Sequence, residues 1–144
     1  MEEKVICTNR VANHEYFILD RIEAGIVLEG GEVKSLRQGN ANLKDSFCVL
    51  YDGQIHIKNM HIALYDKSGV FNTKNSRRDR KLLLHKEEIY KIKKKVEQDH
   101  LTIVPTKAYF SGSNIKVEIA VARGKKLYDK RESLKQKELD RKLK

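Results

Sequence analysis

An Asp52-Gly53 pair stands between two apolar runs, Phe47 to Tyr51 and Gln54 to Ile62. Asp-Gly readily adopts the positive φ values of a tight two-residue turn, so these arms are predicted to pair as an antiparallel hairpin. A hairpin fixed this firmly commits its neighbours to an antiparallel sheet, provided that their apolar residues also alternate.

They do. His14 to Leu28 reads as one long strand, with Phe17 and Leu19 and then Ile22, Ala24, Ile26 and Leu28 at alternate positions. The skip between Leu19 and Ile22 predicts a bulge or bend. After Gly30-Gly31, Glu32 to Gln38 is expected to form a short helix with Val33 and Leu36 inward, Lys34 and Arg37 on the outer face, and Gly39 as its stop. Tyr65 to Arg80 is poor in apolar residues and reads as a long mobile loop. Leu82 to Val96 reads as an amphipathic helix through Ile89, Ile92 and Val96. Leu101 to Phe110 and Ile115 to Arg123 then alternate as strands around Ser111 to Asn114, with Pro105 marking an edge or a bulge.

Roughly five antiparallel strands, interposed helices and no βαβ alternation predict a mainly β fold with helices, a small antiparallel OB-type β-barrel over residues 1–123. From Gly124 the apolar residues thin to Leu127, Tyr128, Leu134, Leu139 and Leu143, too few to fold alone. Residues 124–144 are therefore expected to be a basic C-terminal tail, disordered when free and helical when bound. A chain of 144 residues has room for one such domain with extensions.

The net charge of +10 is unevenly placed. Residues Arg77 to Lys95 hold nine Lys/Arg against Asp79, Glu87 and Glu88, and Arg123 to Lys144 hold ten against Asp129, Glu132, Glu138 and Asp140, a local excess of six in each block. The remainder is slightly acidic. Two basic blocks concentrate a polyanion and exchange its condensed counterions, which makes nucleic acid the leading partner class over a merely solvated face. Cys7 and Cys48 belong to no CxxC or ligand cluster and suit a reducing cytosol. The first eight residues lack the apolar run of a signal, and no stretch reaches the ~20 apolar residues of a membrane helix. The expected location is cytoplasmic, with no membrane partner.

Catalytic chemistry finds little support. Gly25 and Gly30 have the outer spacing of a phosphate-binding loop, but Gly31-Glu32 follow where Lys-Ser/Thr is needed. The five histidines show no paired-ligand spacing, so no metal site and no cofactor are expected. There is no GxSxG elbow. The carboxylate pairs Glu2-Glu3 and Glu87-Glu88 fall at the terminus and on a helix expected to be exposed, without the burial that acid-base catalysis draws on. The chain is read as a binding protein and not an enzyme.

Four stretches carry a specific resemblance: Asn9 to Phe17 (NRVANHEYF), Glu23 to Arg37 (EAGIVLEGGEVKSLR), Arg80 to Leu84 (RKLLL) and Arg123 to Arg131 (RGKKLYDKR). In order and at compatible spacing from about Thr8 to Glu132, they resemble the signatures of the SsrA-binding protein family. The resemblance implies an RNA-binding factor of trans-translation whose barrel grips the tRNA-like portion of transfer-messenger RNA. It also implies help with alanylation and delivery to stalled ribosomes, and a tail that fills the empty mRNA channel in place of codon-anticodon pairing. The implied partners are that RNA and the small ribosomal subunit, with its ribosomal RNA, mRNA channel and decoding centre. Alanyl-tRNA synthetase and the tRNA-delivering elongation factor are indirect partners.

By the same resemblance, Tyr16, Glu23, Lys34, Arg37, Arg80, Lys81, Leu82 and Leu83 form the RNA-facing set, through stacking, phosphate contacts and a carboxylate acceptor. Bland roles stand beside these: Tyr16 in the core, Glu23 paired with Arg37, Leu82 and Leu83 packing only. Asn9, Arg10 and His14 correspond to the segment that approaches the decoding region, where an imidazole can stack on a base. Gly124, Lys125, Lys126, Asp129, Lys130 and Arg131 match the ribosome-binding tail motif. The chain ends thirteen residues after Arg131, short beside the family's usual tails. Two other classes compete, a barrel-fold nucleic-acid-processing enzyme and a structural ribosome-associated protein.

Overall fold

The computed structural model describes residues 3–63 and 76–125. In chain order the elements are β1 (Glu3–Thr8), α1 (Arg10–Glu15), β2 (Tyr16–Ile26), α2 (Gly30–Arg37), β3 (Ala41–Asn42), β4 (Phe47–Tyr51), β5 (Gln54–Lys58), β6 (His61–Ile62), β7 (Arg80–Leu83), α3 (Lys86–Asp99), β8 (Thr102–Ser111) and β9 (Asn114–Gly124). Seven strands form one antiparallel sheet in the order β1-β8-β4-β5-β7-β2-β9, and β9 also pairs with β8. The second pairing closes six strands into a ring and leaves β1 outside it, along β8. The described residues are thus mainly β with helices, as expected, but with more strands than five.

The hairpin is where Asp52-Gly53 placed it. Tyr51 pairs with Gln54, and φ is +53° at Asp52 and +71° at Gly53, the two positive values of a type I′ turn. Its second arm is shorter than expected. At Asn59 φ turns to +65° and the chain leaves the ring, so His61 and Ile62 pair with β3 in a separate two-stranded sheet.

Three other expectations need correction. His14 lies in α1 and not in the long strand, which begins at Tyr16. Leu82 and Leu83 belong to β7, and the amphipathic helix starts only at Lys86. The amino-terminal residues, to which no strand was assigned, supply β1. The expected bulges are present: the β2–β9 register shifts between Ile18 and Asp20, leaving Leu19 as the extra residue, and the β8–β9 register shifts between Pro105 and Lys107. The expected loop lies mostly, and the tail beyond Lys125 wholly, outside the described residues.

Inward-facing Ile55, Ile57, Leu82, Val117 and Ile119 fill the ring, and Leu36 of α2, Leu43, Met60 and Ile62 close over one part of it, all at most 1% exposed. α3 adds Ile89 and Ile92 to the same core. Burying side chains of this size contributes about 1.5–3 kcal/mol each before the entropy of ordering is set against it. Three seams of the ring are thin: β2–β7 matches only Gly25 with Leu83 and Ile26 with Leu82, β5–β7 only His56 with Lys81 and Ile57 with Arg80, and β4–β8 only Cys48 with Ile103.

Candidate nucleic-acid interface

β7 shows how the fold sorts the residues read as RNA-facing. Its four residues alternate strictly, so Arg80 and Leu82 point inward while Lys81 and Leu83 point outward. Leu82 is fully buried core. Arg80 is 1% exposed, and every direction of its guanidinium is taken. Its Nε donates to a Glu32 carboxylate oxygen at 2.6 Å, one terminal nitrogen to the Met60 carbonyl at 2.7 Å and the Arg78 carbonyl at 3.2 Å, and the other to the Ser76 carbonyl at 3.0 Å. With no exposed donor, Arg80 cannot touch RNA in this conformation. It organises the residues that can, and Leu82 likewise packs.

The partner of Arg80 was not among the expected site residues. Glu32 lies in the first turn of α2 and forms its capping box by accepting from the Glu29 N–H at 3.0 Å. It also binds Arg78 and a second nitrogen of Arg80. Burial alone would raise its carboxyl pKa, but the Glu29, Arg78 and Arg80 hydrogen bonds and the Arg80 charge outweigh burial and hold it below the usual carboxylate range. The anchor ties α2, the Met60 corner and β7 together. Lys34 and Arg37, exposed on the outer face of α2, are thereby held in a fixed relation to Lys81.

Glu23 and Leu83 share a cleft of about 650 Å³ with Arg21, Gly25, His85 and Lys116. The Glu23 carboxylate accepts from the Tyr109 hydroxyl, not from Arg37. Its side chain remains exposed, and Arg21, Lys116 and Glu88 line the same cleft. Tyr16 sits seven residues away on the same strand, roughly 23 Å by strand rise. It packs beside Ala12, Val104, Ala120 and Ala122, pairs with Gly124 and stays half-buried. The expected set therefore occupies separate stations and not one pocket.

α1 and the end of β9 form another station. Asn9 is only 8% exposed, and its Nδ2 donates to the Pro105 carbonyl at 2.9 Å while its backbone N–H donates to the Thr106 carbonyl at 2.7 Å. Asn9 thus fastens α1 to β8 and is not displayed, whereas Arg10 and His14 are exposed. Lys125 lies 4.9 Å over the Phe17 ring and donates to the Asn13 carbonyl at 3.1 Å, which brings the start of the tail beside α1. Lys126, Asp129, Lys130 and Arg131 lie outside the described residues.

No group of three or more His, Cys, Asp or Glu able to hold a metal occurs among the described residues, and no helix there is long and apolar enough to cross a membrane. Both cysteines are free thiols, and burial raises the pKa of each.

The SmpB protein family model matches residues 6–144. The chain is 48% identical over 141 residues to the SsrA-binding protein of Desulforudis audaxviator, covering 98% of this chain and 92% of that one. It is 53% identical over 137 residues to the SsrA-binding protein of Caldicellulosiruptor bescii, covering 95% and 86%. A solved structure described as "tmRNA-SmpB: a journey to the center of the bacterial ribosome" superposes with a TM-score of 0.67 at 47% identity, over 83% of each chain.

Proposed function

Since the chain belongs to the SmpB family, we propose from that premise that it binds transfer-messenger RNA and acts with it on the ribosome in trans-translation. It is an RNA-binding protein and not an enzyme. The observation that carries the reading is the extent of the likeness, which runs from residue 6 to residue 144 and so includes both the strand ring and the basic block after Arg123.

The finer division is part of the same proposal. Residues 1–123 form the RNA-selecting domain and grip the tRNA-like portion of the RNA, with Tyr16, Glu23, Lys34, Arg37, Lys81 and Leu83 as contacts and Arg80 and Leu82 supporting them from behind. The protein promotes alanylation of that RNA and its delivery by the elongation factor. Arg10 and His14 approach the decoding region, with Asn9 fixing their helix. Residues 124–144 enter the empty mRNA channel as a helix and substitute for codon-anticodon pairing. A factor of this kind works in the cytoplasm.

The test is a binding series across salt with transfer-messenger RNA and an ordinary tRNA of similar charge. Preference for the former is expected, with affinity falling on the order of a thousandfold between 50 and 200 mM salt if about six phosphates are neutralised. Equal binding to both RNAs would sink the proposal. Deleting Leu127 to Lys144 is expected to leave RNA affinity nearly intact and to abolish tagging on stalled ribosomes; a collapse of affinity would overturn the division. Stable binding to empty small subunits without the RNA would favour a structural ribosome-associated protein.

A further inference from the structure

The outer face of the hairpin and β7 carries a row of side chains of which the stations above use only Lys81. Val49 pairs with His56, His56 with Lys81, and the Val27 N–H donates to the Lys81 carbonyl at 3.0 Å. The row therefore crosses β4, β5, β7 and the end of β2, a width of roughly 14 Å at ordinary strand spacing. Its side chains face outward because Ile55, Ile57, Arg80 and Leu82, their alternates along the strands, are buried.

One step along each strand the same face adds Tyr51 and Lys58. Tyr51, beside the Asp52-Gly53 turn, is 69% exposed, and its ring lies 5.7 Å from that of His56 at 57°. The walls enclose a groove of about 780 Å³ whose outward apolar side chains are Val27 and Val49. The charge over the groove is positive: Lys58 bridges Asp79 at 3.5 Å in solvent and Arg78 is held by Glu32. Lys81 is exposed and has no carboxylate partner among the described residues.

We propose that this face is a second RNA-binding surface, on which an unpaired base stacks against Tyr51 and His56 while its flanking phosphates meet Lys81 and Lys58. The proposal rests on the RNA-binding reading and adds to it a ligand class, single-stranded RNA, and a site away from the Glu23 cleft. An exposed aromatic with an imidazole beside it, apolar side chains in the groove and cations at the rim matches what sequence-tolerant stacking on single strands needs. Each base has a π-face for the ring, and each backbone step has a charge for the lysines.

The experiment titrates the full chain with a ten-residue oligouridylate and with an abasic phosphodiester chain of the same length. The ring resonances of Tyr51 are followed alongside affinity. Base-dependent movement of the Tyr51 signals is expected, with a loss of about tenfold in affinity for oligouridylate in Tyr51→Ala and near wild-type binding in Tyr51→Phe. Lys81→Gln is expected to weaken both probes and to lower the salt slope by about one. Tyr51 is too exposed for its truncation to threaten folding, and an unchanged melting curve verifies this. Equal affinity of Tyr51→Ala and wild type, or equal binding of the abasic chain, overturns the proposal and leaves the face to a protein partner. Failure here with transfer-messenger RNA still preferred over tRNA removes only the second surface. Loss of that preference with Tyr51 still engaged removes the trans-translation reading and leaves the surface standing.

Discussion

Glu32 carries more of the site than any residue expected to touch RNA. One carboxylate caps α2 and holds Arg78 and Arg80, and replacing it with Gln would leave a fully buried guanidinium without its counter-charge. We expect Glu32→Gln to cost about 3 kcal/mol in urea denaturation, the scale of breaking one side of a buried pair. Because the folded pKa of Glu32 lies below its unfolded value, its stabilisation is complete above the unfolded value of about 4.3 and is lost as pH falls through the folded one. The stability gap between wild type and Glu32→Gln is therefore expected to narrow below about pH 4; a gap that holds constant to pH 2 would refute this account. Arg80 was visible in the sequence, but its burial was not. An arginine in a basic run is read as solvent-facing, and the carboxylate that draws it inside lies 48 positions away. Asn9 escaped in the same way, since its acceptor is 96 positions distant.

Among the elements, legibility followed the turns. The β4–β5 hairpin could be placed because Asp-Gly fixes its geometry locally. The β8–β9 hairpin could be placed from two alternating runs about Ser111 to Asn114, with φ of +62° at Gly112. β7 could not: four residues leave little room for a period of two, and Leu82 to Leu84 merges by eye with the helical stripe of α3. β1 was hidden by Glu3 and Lys4, which look like a solvated terminus until β8 is there to pair with them. The same local blindness covers Gly25. A Cβ there would stand 3.2 Å from the Leu83 Cβ, and a rigid first side-chain atom on a paired strand has little space to retreat. Gly25→Ala is expected to cost about 1 kcal/mol and Gly25→Val about 3 kcal/mol by overpacking, read as shifts in the denaturation midpoint. Binding of RNA to the Glu23 cleft should weaken alongside, since Gly25 and Leu83 both line it.

Over the whole molecule, charge and architecture tell different parts of the story. The basic blocks pointed to a polyanion from composition alone, while the positions of their side chains had to await the fold. Arg77 to Lys95 spreads over a turn, a strand and a helix, so its nine cations face several directions and one of them, Arg80, is buried. The class of fold was readable because antiparallel alternation recurs along most of the chain. Closure of the ring was not, because it depends on β9 pairing with both β2 and β8, a choice that no single segment encodes. That closure is uneven. Two or fewer matched pairs join β4-β5-β7 to the rest at either side, against nine between β2 and β9. In native-state hydrogen exchange, the amides of residues 25–27 and 81–83 are expected to exchange faster than those at the centre of the β2–β9 ladder; uniform protection around the ring would contradict this. The sheet then behaves as stiff ladders joined by compliant seams, and any ligand that bridges a seam will report its arrival as slowed deuterium uptake there.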